Sequence, residues 1–368
     1  MAIAASEQGK GDSSSGTGAN ALPGTRRQWC MAARPDGPVK RSDFALVSVP
    51  MPEPGPGEFL IRTLYLSLAP VMRQYMIDGA GIEAPLMPGD VMHGRGVGQV
   101  VVSRNPGFPV GMLVHGKLGW QEYALSDGAA DKLMFPVRAT DLPPSTALGV
   151  LGMTGYSAWV GLFVIGEPKP GNTVLVSGGA GGVGSIAGQL AKIAGCRVIG
   201  IAGTAEKCAL LTGRLGFDAA LNYQQPGLAR RLAELTPEGI DVVFDNVGGP
   251  ILDAALTRIN RFARVVSCGR ISQYIDGPRH ALSNWWMIGE HSARMQGFFV
   301  YDHSDRFAQA EAEMAQWIRE GRLSWLEDIL EGFETMPEAL ARLFSGDNIG
   351  KQLVHVADPL PLEALQRD

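Results

Sequence analysis

One stretch of the chain has an evident capacity for chemistry. Gly178-Gly179-Ala180-Gly181-Gly182-Val183-Gly184 follows the apolar run TVLVS (173–177) and precedes a helix-like segment, SIAGQLAKIAG. Gly179, Gly181 and Gly184 satisfy G-x-G-x-x-G, and the strand before and helix after are the context that motif needs. Glycines at this spacing let the chain turn sharply, bring backbone N–H groups up to a pyrophosphate and let the helix pack closely on the strand, its positive end facing the phosphates. A dinucleotide suits that geometry. Folds that read the ribose hydroxyls of NAD place Asp or Glu at the end of the second strand, about 20 residues on. Here that strand ends Ile201-Ala202-Gly203-Thr204, with no carboxylate, and Lys207 follows within one turn. A fixed cation there suits a 2′-phosphate, so NADP is favoured; Glu206 is either a solvated first-turn residue or a competing ribose acceptor.

A catalytic zinc would need thiolate and imidazole ligands and a nearby carboxylate. The stretch VMHGRGVGQV (91–100) carries His93 with no cysteine in sequence reach, and Arg95 stands where the carboxylate is expected. No metal is therefore expected. Alcohol oxidation then loses the Lewis acid that stabilises an alkoxide. Hydride delivery to an electron-poor alkene is better suited, because conjugation spreads the negative charge to a carbonyl oxygen that a hydroxyl or water can meet.

The elements that must hold these residues fall into two patterns. From Gln28 to about Val137, short β-like runs broken by Pro and Gly (59–68, 97–103, 112–125) read as an all-β domain. After about Leu148, near-continuous apolar runs (173–177, 197–203, 219–223, 241–245, 263–269, 295–300) alternate with helix-length segments, the mark of a parallel sheet covered on both faces. A helix (305–320), a run (325–333), a second helix (337–345) and KQLVHV (351–356) have no place in a six-strand sheet and are expected to pack back onto the first domain. The expected division is a disordered tail (1–24), a β-rich domain made of 25–147 and 302–368, and a cofactor domain (148–301).

Composition narrows the partners. Of 368 residues 45% are hydrophobic and 19% charged, which suits a globular protein, and 48 glycines, with no G-x-y period, point to tight turns. Lys and Arg number 32 against 37 Asp and Glu, and no basic cluster exceeds Arg26-Arg27 or Arg230-Arg231, so neither nucleic acid nor an anionic membrane is an expected partner. The uncharged stretches 142–166 and 170–191 are too rich in Pro or Gly for lipid-facing helices. Residues 1–24 lack the basic and apolar regions of a signal peptide, and Cys30, Cys196, Cys208 and Cys268 lie far apart, which fits reduced thiols in the cytoplasm.

Taken in order, LGMTGYSAWVGL (151–162), the glycine loop, GTAEK (203–207), LNY (221–223), FDNVGG (244–249), CGRISQY (268–274), MQGFFV (295–300), EGF (331–333), MPEAL (336–340) and GDNIGK (346–351) form a set. From Gln28 to Val356 the chain resembles the zinc-free medium-chain dehydrogenases/reductases of the prostaglandin reductase, alkenal/one oxidoreductase and curcumin reductase type. The resemblance implies an α/β architecture with a GroES-like β-rich catalytic domain and a Rossmann, doubly wound cofactor domain. It also implies NADPH as cofactor, reduction of the C=C bond of enones and enals, and a homodimer. Carried over by position, Gly181, Gly182, Val183 and Gly184 would hold the pyrophosphate, and Lys207 with Tyr223 the 2′-phosphate. Asn246, Cys268, Ser272, Phe298, Val300 and Asn348 would stand on the cofactor side. Tyr274 would stand near the nicotinamide ribose and the substrate carbonyl, either donating a hydrogen bond to the developing enolate or only fixing the ribose. Tyr223 and Asn246 also read as a packing aromatic and a turn former, Tyr274 as a mobile loop aromatic, Asn348 as a turn former, and Cys268 as a buried strand residue rather than a nucleophile.

The chain departs from its relatives at Ser67-Leu68-Ala69-Pro70-Val71-Met72-Arg73, where S-x-D-P-Y-M-R is common; losing the acid and the tyrosine changes pocket polarity. Arg73, Tyr156 and Trp285 are the expected substrate-pocket residues, with Trp159 and Trp286 as further aromatics; the four aromatics read equally as core or dimer-contact residues. Quinone or haloacrylate reduction on the same scaffold, and NADPH binding without turnover, are the competing functions.

Overall fold

The computed structural model describes residues 22–77, 84–274 and 280–365. Most of the tail expected at 1–24 lies outside them; Leu22 packs against Leu60 and Val101, and Gly24 O accepts from Met51 N at 3.0 Å.

Strands β1 (Thr25–Met31) and β2 (Phe44–Pro50) form an antiparallel pair. Next come β3 (Phe59–Ser67), helix α1 (Met72–Tyr75), β4 (Arg95–Ser103), β5 (Leu113–Lys117), β6 (Tyr123–Ser126) and β7 (Phe135–Pro136), which build a mostly antiparallel sheet. The run expected at 112–125 is two strands. Gly119, at φ +68°, breaks it, and β6 crosses to pair with β3 instead of continuing β5.

Helix α2 (Met153–Trp159) leads into the parallel half. Strands β8 (Thr173–Ser177), β9 (Arg197–Ala202), β10 (Ala219–Asn222), β11 (Ile240–Asp245), β12 (Ile259–Ser267) and β13 (Arg294–Gly297) pair in the order β10-β9-β8-β11-β12-β13. This is the 3-2-1-4-5-6 order of the doubly wound nucleotide fold. The helices between them are α3 (Gly182–Ile193), α4 (Ala205–Gly213), α5 (Leu228–Leu235), α6 (Gly249–Leu256) and the short α7 (Met287–Glu290). The strands read as continuous apolar runs because both faces are covered. Val174, Val176, Val242 and Phe244 pack under α2 and α3, while Leu175, Ile199, Val243 and Val265 pack under α5 and α6.

The C-terminal part adds α8 (Phe307–Arg319), β14 (Glu327–Glu331), α9 (Met336–Ser345) and β15 (Lys351–His355). Strand β15 pairs antiparallel with β3 and parallel with β14, which places both in the first sheet. Helix α8 does not go with them. Its Phe307, Ala310 and Met314 share the core of Val174 and Phe244, so the chain changes sides between Arg319 and Glu327 rather than at 302. Among the described residues no helix is long and apolar enough to cross a membrane.

Two glycines hold the junction before α2. A Cβ on Gly152 would stand 2.1 Å from Ala147 O, and one on Gly155 would stand 1.8 Å from Val150 O. Both neighbours are backbone and cannot swing away. Gly155→Ala is therefore expected to cost about 1–3 kcal/mol through overpacking, measured by urea denaturation. Gly213→Ala, at a helical position with nothing within 4 Å, should cost nothing and serves as the control.

Candidate active site

The parallel strands end together at Ser177, Ala202, Asp245 and Ser267, and a cleft of about 1340 Å³ opens beyond them against the first sheet. Ligands bind at this edge in such folds, at the point where the strand order reverses. Here that point lies between β8 and β11.

The glycine loop turns tightly after β8. Gly178 sits at φ +61°, and Gly181 donates back to Gly178 O at 3.0 Å. A Cβ on Gly184 would fall 2.3 Å from Gly178 O, so only glycine lets α3 approach the turn this closely. Around Gly181 the space is open except for Gly178 O at 3.2 Å. The amides of Gly182, Val183 and Gly184 open the helix, have no intrahelical acceptor and border the cleft. A concave glycine backbone at a helix N-terminus fits a pyrophosphate.

The end of the cleft beyond β9 is formed by Gly203, Thr204, Lys207 and Tyr223. Thr204 caps α4 by accepting from Lys207 N at 3.2 Å. Tyr223 lies over Gly203, where a Cβ would meet its ring and hydroxyl at 3.2 Å. Lys207 Nζ donates to Gly346 O at 2.5 Å, across the cleft mouth, and burial lowers its ammonium below the usual lysine range despite Asp347 and Asp328 nearby. These residues, with no carboxylate at the end of β9, fit a 2′-phosphate.

Asp245 organises the floor, and it was not among the residues expected to matter. Its carboxylate accepts from Ser177 Oγ (2.6 Å) and from the amides of Val247 (3.2 Å) and Gly248 (2.9 Å). Burial pushes this carboxyl up, against those hydrogen bonds. Asn246 Nδ2 donates to Ser177 O at 2.8 Å, and Ser272 Oγ donates to Val247 O at 2.6 Å, so three loops are tied at one edge. The only sequence signal for Asp245 is its place at a strand end in FDNVGG.

Tyr274 follows the short turn Ile271–Gln273 and lines the cleft. Arg270 lies 5.7 Å over its ring, and burial pushes the phenol up. Gln74 Nε2, on α1, donates to Tyr274 O at 3.4 Å and joins this loop to the opposite wall. That wall is Ala69, Pro70, Val71, Met72, Tyr75 and His93, with Tyr75 edge-on to His93 at 5.3 Å. Cys268 also borders the cleft, but burial raises its thiol to about 12, which leaves it a thiol and not a nucleophile. Asn348 donates to Gly350 O at 3.0 Å beside the cradle.

Five expected residues stand elsewhere. Tyr156 is buried in the core, stacked on Phe307 at 4.5 Å with its hydroxyl donating to Glu311 at 3.1 Å; an aromatic in a helix beneath a sheet packs before it lines a pocket. Arg73 is 1% exposed and points away, donating to Pro35 O and Gly37 O. Trp285 is 67% exposed and outside the cleft. Phe298 and Val300 pack against the parallel-sheet core, Phe298 filling the space left by Gly161, and Tyr301 takes the cleft position instead. Among the described residues no three His, Cys, Asp or Glu side chains come together as a metal site.

Residues 27–134 match the family described as the N-terminal domain of oxidoreductase, and residues 182–316 the one described as zinc-binding dehydrogenase. The chain is 40% identical to the NADPH-dependent curcumin reductase of Escherichia coli, over 90% of this chain and 97% of that one. It is 38% identical to the 2-alkenal reductase (NADP(+)-dependent) of Nicotiana tabacum, over 86% and 94%. The crystal structure of CurA in complex with NADPH from Vibrio vulnificus superposes with a TM-score of 0.85 at 39% identity, covering 90% of this chain and all of that one. With this likeness along nearly its whole length, the chain belongs to the NADP-dependent oxidoreductases of the curcumin, alkenal and prostaglandin reductase type, within the medium-chain dehydrogenase/reductase superfamily.

Proposed function

We propose that the protein reduces the C=C bond of α,β-unsaturated ketones and aldehydes with NADPH. The observation that carries this reading is that the nucleotide cradle, Tyr274 and an apolar wall from the other sheet share one cleft. When bound, NADPH supplies the hydride that adds to the β-carbon. Gly181, Gly182, Val183 and Gly184 hold the pyrophosphate through backbone amides, and Lys207 with Tyr223 holds the 2′-phosphate. Asn246, Ser272 and Asn348 shape the cofactor side of the cleft. Tyr274 donates a hydrogen bond to the carbonyl oxygen as negative charge develops there, and its raised phenol stays protonated for that task. Ala69 to Met72 press the alkene against the cofactor face and exclude water.

We read the reaction as metal-independent from the donor set. His93 packs on Tyr75, and its neighbour Arg95 gives a hydrogen bond to Leu133 O at 3.2 Å rather than offering a carboxylate.

The strand β13 is exposed along its length and ends the parallel sheet, and Trp285, Trp286 and Met295 are exposed on the chain around it. An open edge with apolar side chains invites pairing with an identical edge. We take the protein to be a homodimer through β13. Four free thiols suit a reducing compartment, and we place it in the cytoplasm.

Oxidation of NADPH followed at 340 nm with enals, aryl enones and quinones tests the function; no oxidation with any enal or enone refutes it, and activity confined to quinones favours the competing reading. Lys207→Ala should raise KM for NADPH by roughly tenfold or more, as loss of a charge-assisted contact does, and leave KM for NADH nearly unchanged. Equal effects on both would remove the 2′-phosphate role. Tyr274→Phe should lower kcat with the cofactor KM little changed; an unaltered rate would leave the phenol without a chemical part. Sedimentation equilibrium should give a dimer that Gln296→Pro converts to monomer, and a wild-type monomer would refute the β13 contact.

A further inference from the structure

Lys351 opens β15 and borders the cleft, yet its side chain is buried. Its Nζ donates to Leu68 O at 2.5 Å, and among the described residues it forms no ion pair. The nearest acid in register, Glu327 on β14, turns its own carboxyl to Ser145 Oγ at 2.8 Å. Desolvation lowers the ammonium to about 8. A buried cation without a counter-charge weakens a fold compared with an apolar residue of the same size, so its presence calls for a task beyond stability.

Its neighbours show the task. On the backbone side, Gly350 N donates to Ala180 O at 2.7 Å, and a Cβ on Gly182 would lie 3.4 Å from Lys351 Cα. Lys351 is thus seated directly on the nucleotide cradle. On the side-chain side, Leu68 directly follows β3 and begins the turn whose Ala69, Pro70, Val71 and Met72 line the opposite wall. Within that turn the bonds are local: Met72 N to Ala69 O and Arg73 N to Pro70 O. The wall is tied to β15 at Leu68, through Leu68 N to Gln352 O at 3.1 Å and through the Lys351 ammonium to Leu68 O.

We propose that Lys351 is a positioning residue for the substrate, holding the Leu68–Met72 wall in register with the nucleotide cradle so that the fit of the enone depends on its ammonium and the affinity for NADPH does not. The proposal rests on the enone-reductase reading for the identity of the substrate, and the geometry stands apart from it. A charged donor grips a carbonyl more firmly than a neutral one, and a wall displaced by a fraction of an ångström no longer presses the alkene into line.

The test compares wild type, Lys351→Met and Lys351→Gln by four readouts: KM and kcat for trans-2-hexenal at saturating NADPH, NADPH Kd by fluorescence titration, calorimetric binding of the enal to the NADP+ complex, and Tm. Lys351→Met should raise KM for the enal, and its Kd in the NADP+ complex, by about tenfold. NADPH Kd should stay within about twofold and Tm should be equal or higher. Lys351→Gln keeps a neutral donor and should fall between. An enal KM and Kd unchanged in both variants overturns the proposal. So does a weakened NADPH Kd with the enal terms intact, which would make Lys351 a cofactor ligand. A Tm lowered in both variants, in step with the loss of enal binding, assigns it to the fold instead. Wild type that binds the enal without reducing it refutes the enone-reductase reading alone, because the binding comparison still decides the role of Lys351.

Discussion

The approach of α3 to the end of β8 governs the molecule. Gly178 O and Gly184 come so close that a single methyl would not fit, and the left-handed Gly178 is what turns the chain back in time. That contact points the first helical amides into the cleft. It also exposes Ala180 O and Gly181 to Gly350, so the start of β15 docks on the cradle. From β15 the geometry passes to β3, its antiparallel neighbour, and from the end of β3 to the wall that faces the cofactor side. Cradle and wall are therefore built from one line of backbone contacts, although the chain makes them from segments far apart in sequence.

The second organising group is the buried Asp245. A carboxylate in that position is costly unless its oxygens are satisfied, and Ser177 with the Val247 and Gly248 amides does this. The result fixes the loops after β8 and β11, and through Asp245 O, which accepts from Cys268 N and Gly269 N, the loop after β12. Tyr274 stands at the far end of that loop. Its place is thus set by a buried residue that does not line the cleft.

Much of this was legible because it is local. A strand covered on both faces must be apolar throughout, and TVLVS or DVVFD can be read that way without knowing the partner. The glycine loop is equally local, since its chemistry lies in backbone that only glycine permits. Side-chain direction is not local. Tyr156 and Arg73 have the types of pocket residues, but helix phase turns Tyr156 to Phe307 and Glu311, and a one-turn helix turns Arg73 to the carbonyls of Pro35 and Gly37. The pairing of Phe298 with Gly161 depends on two segments meeting, as does the role of Gln74 at Tyr274 O. Nothing local in GDNIGK marks Lys351; its place follows only from β15 entering beside the cradle.

The two halves meet through a particular kind of contact. The core around Trp29, Leu66, Trp120 and Phe333 is separate from the cores on either face of the parallel sheet. Among the described residues, what crosses the cleft is a set of single polar bonds: Lys207 to Gly346 O, Gln74 to Tyr274 O and Gly350 N to Ala180 O. Each such bond has a net worth of about 1 kcal/mol, more where a charge is involved, while each core is held by many buried side chains. Relative movement of the halves therefore breaks a few directional bonds and leaves both cores intact. The most exposed of the three uses Lys207, whose ammonium is the group expected to meet the 2′-phosphate. The same charge cannot serve Gly346 O and a phosphate with all its donors at once, so on the proposed reading a 2′-phosphate at that corner would compete with one of the bonds that join the two halves.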